Sequence, residues 1–361
     1  SMMTIIEYLK RKGNDVFLIL PEHGDIEEES KQKNIEFAVV PCFTQLYYYK
    51  PQWKYLTLPI LVAHAYLRLP KLKDIAQKFA PDLIYSNTSA ENLGIKIAKA
   101  LNVKHISHIR EFMDLDHDAK YIFGRKRKKK YINQSDGVIY VSNSVANHVN
   151  MGEPLKEWQR VIYNGVDTVD WEYSDKSIPE ELNLGVVGIF DPEKGQDVAI
   201  RMMPSILMCY PKAKLHVWGD KEGKYKKRLY SMVNQMELEE NVIFHGFEKN
   251  PNIIYKDMDI LMMCSRSEGF GRVTVEAMQR AIPVLGYKSG GTSELVKDGF
   301  NGYSFLTQED CVCGLKKMLS SETEFNKLRK NAYDDARTNY TVDLYCSRVE
   351  AFVEMIMKKN E

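Results

Sequence analysis

The sequence predicts an α/β protein of two doubly wound, Rossmann-like domains facing a cleft. Three observations predict it. Strand-like and helix-like segments alternate along all 361 residues, the pattern that parallel sheets with crossover helices require. That length suffices for two cores of ordinary size. A polar, weakly patterned stretch, 169–182, divides the alternation, so a first domain over 1–168, a linker over 169–182 and a second domain over 183–340 are expected.

In order along the chain, 2–12 reads as a helix and 16–20 as a strand. Further strands of the first half fall at 37–40, 83–86, 105–108 and 137–141, with helices at 56–67, 72–79, 90–101 and 126–133. The second half repeats the pattern with strands at 184–189, 214–218, 242–244, 259–263 and 283–286. A helical pattern follows each of the first four, and a short helical turn at 293–298 follows the last. Residues 342–358 place Leu344, Tyr345, Val349, Phe352, Val353 and Ile356 on one face of an amphipathic helix.

Composition excludes several classes. A hydrophobic share of 44% and a charged share of 27% are those of a globular protein. The formal net charge of +1 gives no global basis for binding nucleic acid, so no nucleic-acid partner is expected. Six scattered cysteines make no disulfide framework, and Cys311-x-Cys313 has no neighbouring ligand cluster for zinc. A reducing cytoplasm fits best. No apolar run reaches the roughly 20 residues that span a bilayer.

The most informative stretch runs from Cys264 to Met278 and carries Glu268 and Glu276 eight residues apart. The apolar run before it reads as a buried strand. Gly269 and Gly271 then make a loop, and a helix begins near Val273. Ligands of open α/β sheets bind at the carboxyl ends of strands, where free backbone N–H groups hold anions. Glu268 is placed over such a crevice and Glu276 one turn into the helix. Taken alone, Glu268 reads more readily as a surface loop charge and Glu276 as a solvated helix residue. A second element, Gly188 to Gly195, follows another apolar strand and opens a helix, which suits phosphate binding with Lys194 as the cation.

With its neighbours Ser265, Glu268-Gly269-Phe270-Gly271 and Glu276-Ala277-Met278, the block resembles the Glu-x7-Glu element of the retaining nucleotide-sugar glycosyltransferases of family 4, which have the GT-B fold. The resemblance implies that Glu268 contacts the transferred sugar and Glu276 the ribose, with Gly269, Phe270, Gly271 and Val273 around the donor. It implies an acceptor-binding first domain, a nucleotide-sugar-binding second domain, and a final helix (341–361) that crosses back onto the first domain; an ordinary helix on its own domain is the alternative. His245-Gly246-Phe247 and Gly219-Asp220 match turns near the base, and Gly290-Gly291-Thr292-Ser293-Glu294 and Asp298 to Gly302 match as well. Two glycines there allow close backbone approach to a ligand. Asn164-Gly165-Val166-Asp167 matches a hinge-side element.

Departures accompany the matches. The family usually has an Arg on the diphosphate where this chain has Ile189, and Arg272 is the candidate replacement; otherwise it is a solvated helix-start residue. Family members also begin with a strand and a glycine-rich loop ahead of the first helix, so the first strand of the first domain is expected to be missing here. In the first domain Ser86-Asn87-Thr88 and His108-Ile109-Arg110-Glu111 stand at strand ends. Either His108 touches the donor sugar, or Arg110 and Glu111 replace the family's His-Asp pair, with Asn87 beside them. His108 is favoured; His105 and His117 are weaker.

Asp114-x-Asp116 and Asp257-x-Asp259 echo a metal-binding triplet, but no metal site is expected, and no cofactor beyond the donor substrate itself. The run Arg125 to Lys130 is a solvated helix face or a membrane-surface contact for a saccharide or lipid-linked acceptor, and 47–55 interleaves tyrosines, Trp53 and lysines as carbohydrate or interfacial contacts do. The expected activity is transfer of a sugar to an acceptor hydroxyl without a metal, in bacterial surface polysaccharide or glycolipid assembly, cytoplasmic and peripheral on the inner face of the membrane. An epimerase or hydrolase of the same fold, or a silent sugar-nucleotide-binding subunit, are the rivals.

Overall fold

In a computed structural model, residues 2–42, 46–48, 58–116 and 119–358 are described. The aromatic and lysine residues of 49–55 and His117 lie outside them. The chain divides into two compact units, Ser1–Tyr163 with Tyr345–Glu361, and Asn164–Leu344.

The first unit carries β1 (Phe17–Leu20), β2 (Glu36–Val39), β3 (Leu46–Tyr48), β4 (Leu83–Ser86), β5 (Lys104–Ile109), β6 (Ala119–Tyr121), β7 (Gly137–Tyr140) and β8 (Gln159–Val161). β1 and β2 form one parallel pair, and β4-β5-β7-β8 a parallel sheet of four. β3 and β6 pair antiparallel. The single sheet expected of this half is thus split. Packing joins the pieces, because Ile19, Ala38 and Ile84 all lie against Val40, Leu72, Ala76, Leu93 and Ile97.

Two expected helices, 56–67 and 72–79, are one helix, Leu58–Phe79, with Pro70 inside it. Proline deletes one backbone donor, but buried Leu72 and Ala76 anchor the helix just beyond it. Helices Asp25–Gln32 and Asn143–Asn150 were not expected. The second carries a legible start: Ser142 accepts from the Val145 N–H at 3.1 Å.

The second unit is one parallel sheet of β9 (Asn183–Val187), β10 (Lys214–Trp218), β11 (Val242–Gly246), β12 (Ile260–Met263), β13 (Val284–Tyr287) and β14 (Gly302–Phe305). The spatial order is β11-β10-β9-β12-β13-β14. After β9 the chain winds outward one way through β10 and β11, then returns to start again at β12. The switch point of this doubly wound sheet therefore lies between β9 and β12, where ligands of such sheets bind. β14 and the helices Gln308–Met318 and Glu322–Asn339 complete the unit beyond the expected elements.

The stretch 169–182, read as a linker, belongs to the second unit and is strapped to the helix Glu322–Asn339. Arg329 donates to the Ser174 carbonyl at 2.8 Å, and Arg337 to that of Trp171 at 2.9 Å. The helix Val342–Lys358, by contrast, belongs from Tyr345 onward with the first unit. A Cβ on Gly137 in β7 would stand 2.8 Å from Ile356 Cγ1 and 2.9 Å from Phe352 Cε1. The terminal helix is thus seated on bare backbone, and Tyr8 ties it further by donating to Glu350 at 2.6 Å. Replacing the buried Phe352 with Ala should cost about 3–5 kcal/mol of stability, as truncations of core phenylalanines do; chemical denaturation measures it, and a loss below 1 kcal/mol would show that the helix is not part of this core.

Candidate functional site

Two loops leave the switch point. One follows β9 and runs from Gly188 to Gly195; the other follows β12 and runs from Cys264 to Gly271. Their separate sequence signals meet in space: Lys194 Nζ lies 2.9 Å from Glu268 Oε2. Lys194 keeps 36% and Glu268 16% of its side chain exposed, so both face an open surface.

The first loop is built around a 3-10 turn, Pro192–Lys194, which Asp191 caps by accepting from the Glu193 N–H at 3.1 Å. Gln196 holds its base by donating to the carbonyls of Gly188 (3.1 Å) and Ile189 (3.0 Å). Gly195 has φ +72°, and a Cβ there would stand 2.0 Å from the Cys264 carbonyl oxygen. Only glycine permits both the conformation and the approach. Gly188 lies along the stem of Lys194, and Ile189 is 52% exposed, so no charge stands at that position.

The second loop is clamped from both sides. The Arg266 N–H donates to the Glu193 carbonyl at 2.8 Å, and its guanidinium reaches Asp197 at 3.1 Å. Burial would raise the Asp197 carboxyl, yet hydrogen bonds from Arg266, Arg201 and Tyr225 hold it below the ordinary carboxylate range. On the far side Gly290 and Gly291 pack on the loop itself. Their Cβ atoms would stand 2.5 Å from the Glu268 oxygen and 2.6 Å from the Phe270 oxygen, and the Gly291 N–H donates to Glu268 O at 2.6 Å. These glycines were expected to admit a ligand; they admit the glutamate loop. Phe270 is buried, its ring 6.0 Å from that of Tyr340 between centroids. Gly269 and Gly271 give the loop its turn, Gly271 at φ +104°.

Glu276 sits in the helix Arg272–Met278, which starts at the expected place one residue before Val273. Its Oε2 accepts from the Tyr255 hydroxyl at 3.1 Å, and its Oε1 lies 3.5 Å from Arg272. Arg272 thus pairs with Glu276 and is half exposed. Beyond β10 and β11 the turns touch. Gly219 N–H donates to Gly246 O at 2.7 Å, and a Cβ on Gly219 would meet Gly188 O at 2.0 Å. Gly246 itself faces open space. His245 stacks on Trp218 with centroids 3.8 Å apart, and burial lowers its pKa, so the ring is a neutral part of this turn.

The candidates of the first unit form a separate cluster. His108 is fully buried, with Nδ1 2.6 Å from the Tyr85 hydroxyl. Burial, then the nearby Arg110 charge, holds its pKa well below the usual histidine value. The ring, favoured as the sugar contact, is enclosed by its own unit in this unliganded structure. Arg110 instead gathers the cluster: its Nη1 lies 3.2 Å from His108 Nδ1, 3.3 Å from Asn87 Oδ1 and 3.1 Å from the Tyr345 hydroxyl of the terminal helix. Glu111 accepts from Thr88 Oγ1 at 2.8 Å and the Ser89 N–H at 3.0 Å, and burial raises its carboxyl pKa. His105 is interior as well, between Ser86 and Ser135.

One aspartate of each Asp-x-Asp is engaged by its own surroundings. Asp259 accepts from the Asn183 N–H at 2.8 Å and from Lys176, while Asp116 takes the N–H groups of Phe112 and Met113 at 2.9 and 2.7 Å. The basic run is not one uniform face: Lys128 is buried and donates to the Glu91 carbonyl at 2.6 Å, and Arg125 donates to His148 O at 2.7 Å. No described helix is long and apolar enough to cross a membrane. Asp197, Arg266 and Tyr255 escaped sequence reasoning. Arg266 inside the Ser-Arg-Ser approach to Glu268 was the available signal; Tyr255, between Ile254 and Lys256, gave none.

Comparison with known proteins bears on this geometry. The profile of the family "Glycosyl transferases group 1" matches residues 171–335, and that of "Glycosyltransferase Family 4" residues 1–170. An uncharacterized glycosyltransferase of Methanocaldococcus jannaschii is 30% identical over 272 residues, covering 73% of this chain and 72% of the relative. The chain belongs to the group 1 glycosyltransferases. Another relative of this glycosyltransferase is the alpha-monoglucosyldiacylglycerol synthase of Streptococcus pneumoniae, 23% identical over 386 residues, covering 100% of this chain and 83% of that one. Among solved structures, Anabaena HepE in complex with UDP and glucose superposes with a TM-score of 0.76 at 21% identity, covering 98% of this chain and 94% of that one. The likeness shows a GT-B fold for this glycosyltransferase, whose family includes enzymes of polysaccharide and glycolipid synthesis.

The clamped loop yields a prediction. Gly290→Ala places a methyl group against the Glu268 backbone at φ +52° and should cost about 1–3 kcal/mol. The expected result is a lower denaturation midpoint; an unchanged midpoint would mean that the loop relaxes freely.

Proposed function

We propose that this glycosyltransferase is a retaining enzyme that moves a sugar from a nucleotide diphosphate sugar to an acceptor hydroxyl without a metal ion. The observation that carries the reading is the meeting of Lys194 and Glu268 at 2.9 Å over the switch point of the second unit. A cation and a carboxylate so placed match the two ends of a donor's scissile bond. Lys194 binds the diphosphate, whose charge grows as the anomeric bond breaks, and Glu268 accepts from the sugar hydroxyls. Glu276 takes the ribose hydroxyls. Arg272, 3.5 Å from Glu276, supplies a second positive charge that Ile189 cannot.

In the unliganded site Lys194 and Glu268 neutralise one another. Donor binding exchanges that ion pair for two new contacts, Lys194 to phosphate and Glu268 to sugar, so neither charge is left bare. On the retaining route the departing phosphate takes the proton of the acceptor hydroxyl, and a protein base is not required. Arg110, Asn87 and Glu111 are the acceptor-side candidates of the first unit. The relative that makes a glucosylated diacylglycerol supports a lipid or lipid-linked acceptor. Exposed cations of the Arg125 to Lys130 run, each worth about 1 kcal/mol near an anionic surface, would hold the enzyme peripherally on the cytoplasmic face of the membrane.

The test is a thermal-shift panel of nucleotide sugars, followed by transfer assays with lipid-linked and saccharide acceptors and the best donor. One donor should raise the midpoint, and Lys194→Ala should weaken its binding by about 10–100-fold, the loss of a charge-assisted contact. Arg272→Ala should weaken it comparably. Stabilisation by no nucleotide sugar sinks the reading. Donor consumption without an acceptor would favour an epimerase or hydrolase, and binding without turnover a silent subunit.

A further inference from the structure

Tyr255 ends the short helix Pro251–Ile254 and is buried to 1% exposure. Its hydroxyl has one hydrogen to give. The nearer acceptor is Glu276 Oε2 at 3.1 Å; the Val273 carbonyl stands at 3.4 Å. Burial, reinforced by the Glu276 charge, raises the phenol well above its ordinary pKa, so the hydroxyl stays protonated and donates.

The ring is held in turn by Arg280, whose guanidinium carbon lies 5.0 Å from the ring centroid. Arg280 donates through one nitrogen to the Glu276 backbone carbonyl at 2.9 Å and through another to Asn252 Oδ1 at 2.9 Å. Arginine and tyrosine therefore grip the backbone and the carboxylate of the same glutamate. Glu276 keeps 21% of its side chain exposed. A carboxylate has about four lone-pair directions; with Oε2 turned inward and Oε1 3.5 Å from the half-exposed Arg272, directions on the exposed side remain for a ligand beside that arginine.

We propose that Tyr255 is a positioning residue of the donor site, which fixes the Glu276 carboxylate in the orientation that accepts the ribose hydroxyls. Arg280 is the brace that keeps the phenol in place. The proposal rests on the reading of Glu276 as the ribose contact. A glutamate free to rotate would lose several rotamers on meeting the ribose; one already held loses few, and the difference appears as affinity. The effect is specific to hydroxyls: a nucleotide without them gains nothing from an oriented Glu276.

The experiment compares wild type, Tyr255→Phe and Glu276→Gln by titration calorimetry. The ligands are the tightest-binding of uridine, adenosine and guanosine diphosphate and its 2′,3′-dideoxy analogue. Tyr255→Phe keeps the ring against Arg280, and affinity is read on the folded fraction, so partial unfolding does not mimic the outcome. The hydroxyl-bearing ligand should bind about tenfold more weakly to Tyr255→Phe, the size of one hydrogen bond to a charged group, while the dideoxy analogue binds as to wild type. Equal weakening of both ligands, or of neither, overturns the role given to Tyr255. If Glu276→Gln leaves the preference for the hydroxyl-bearing ligand intact, the ribose reading of Glu276 itself falls, and the positioning role with it.

Discussion

Backbone packing around the Cys264 to Gly271 loop is the constraint on which the rest of the site depends. A loop at a sheet's switch point has no ladder to hold it, and a carboxylate on such a loop is useful only if it stays put. Here the loop is wedged between two glycine turns. Gly195 lets the Cys264 carbonyl approach to where a Cβ would be, and Gly290 and Gly291 do the same for Glu268 and Phe270. Each position concedes side-chain packing to gain backbone proximity. The Asp197–Arg266 pair then fixes the loop's entrance from the helix Gln196–Leu207. Glu268 is thus held through the backbone packing of Gly195, Gly290 and Gly291 and the Asp197–Arg266 pair.

The same frame explains the division between rigid and movable charges. Glu276 is held at both its carboxylate and its carbonyl, whereas Lys194 is anchored by its backbone and meets Glu268 only through its side-chain tip. A long flexible cation beside a fixed carboxylate can change partners at small cost, because both sites for it are close and partly solvated. In the proposed reaction that flexibility lets one lysine neutralise the empty site and then follow the developing phosphate charge.

Much of this was legible in the sequence, for reasons that particular residues show. β9, β12 and β13 are continuous apolar runs because both faces of the sheet are covered, and such runs declare themselves. Glu268 and Lys194 were singled out because each stands in a glycine-bearing turn directly after such a run, and Glu268 because its neighbours match a family element; the structure brings the two side chains together at 2.9 Å. The second unit's final strand and two helices were overlooked, although Thr307 and Asp310 form a capping box at the start of one of them. The burial of His108 was hidden for a different reason. A histidine at a strand end reads the same whether it points outward or inward, and only the packing of Tyr85 and Tyr345 around it decides. Tyr255 was invisible because its single polar atom lies at the end of an otherwise ordinary core residue. Pairings that link distant residues through one hydrogen bond, such as Arg110 with Tyr345, leave no periodic trace in a sequence.

The central claim is that Lys194 and Glu268 are two ends of one donor site. A crystal structure of the full chain with an intact nucleotide sugar tests it most directly, through the position of Lys194 Nζ. The account predicts that Nζ leaves Glu268 and lies about 2.7–2.9 Å from a phosphate oxygen, with Glu268 on a sugar hydroxyl. A bound nucleotide sugar with Lys194 still paired to Glu268, and its phosphates held elsewhere, would contradict it.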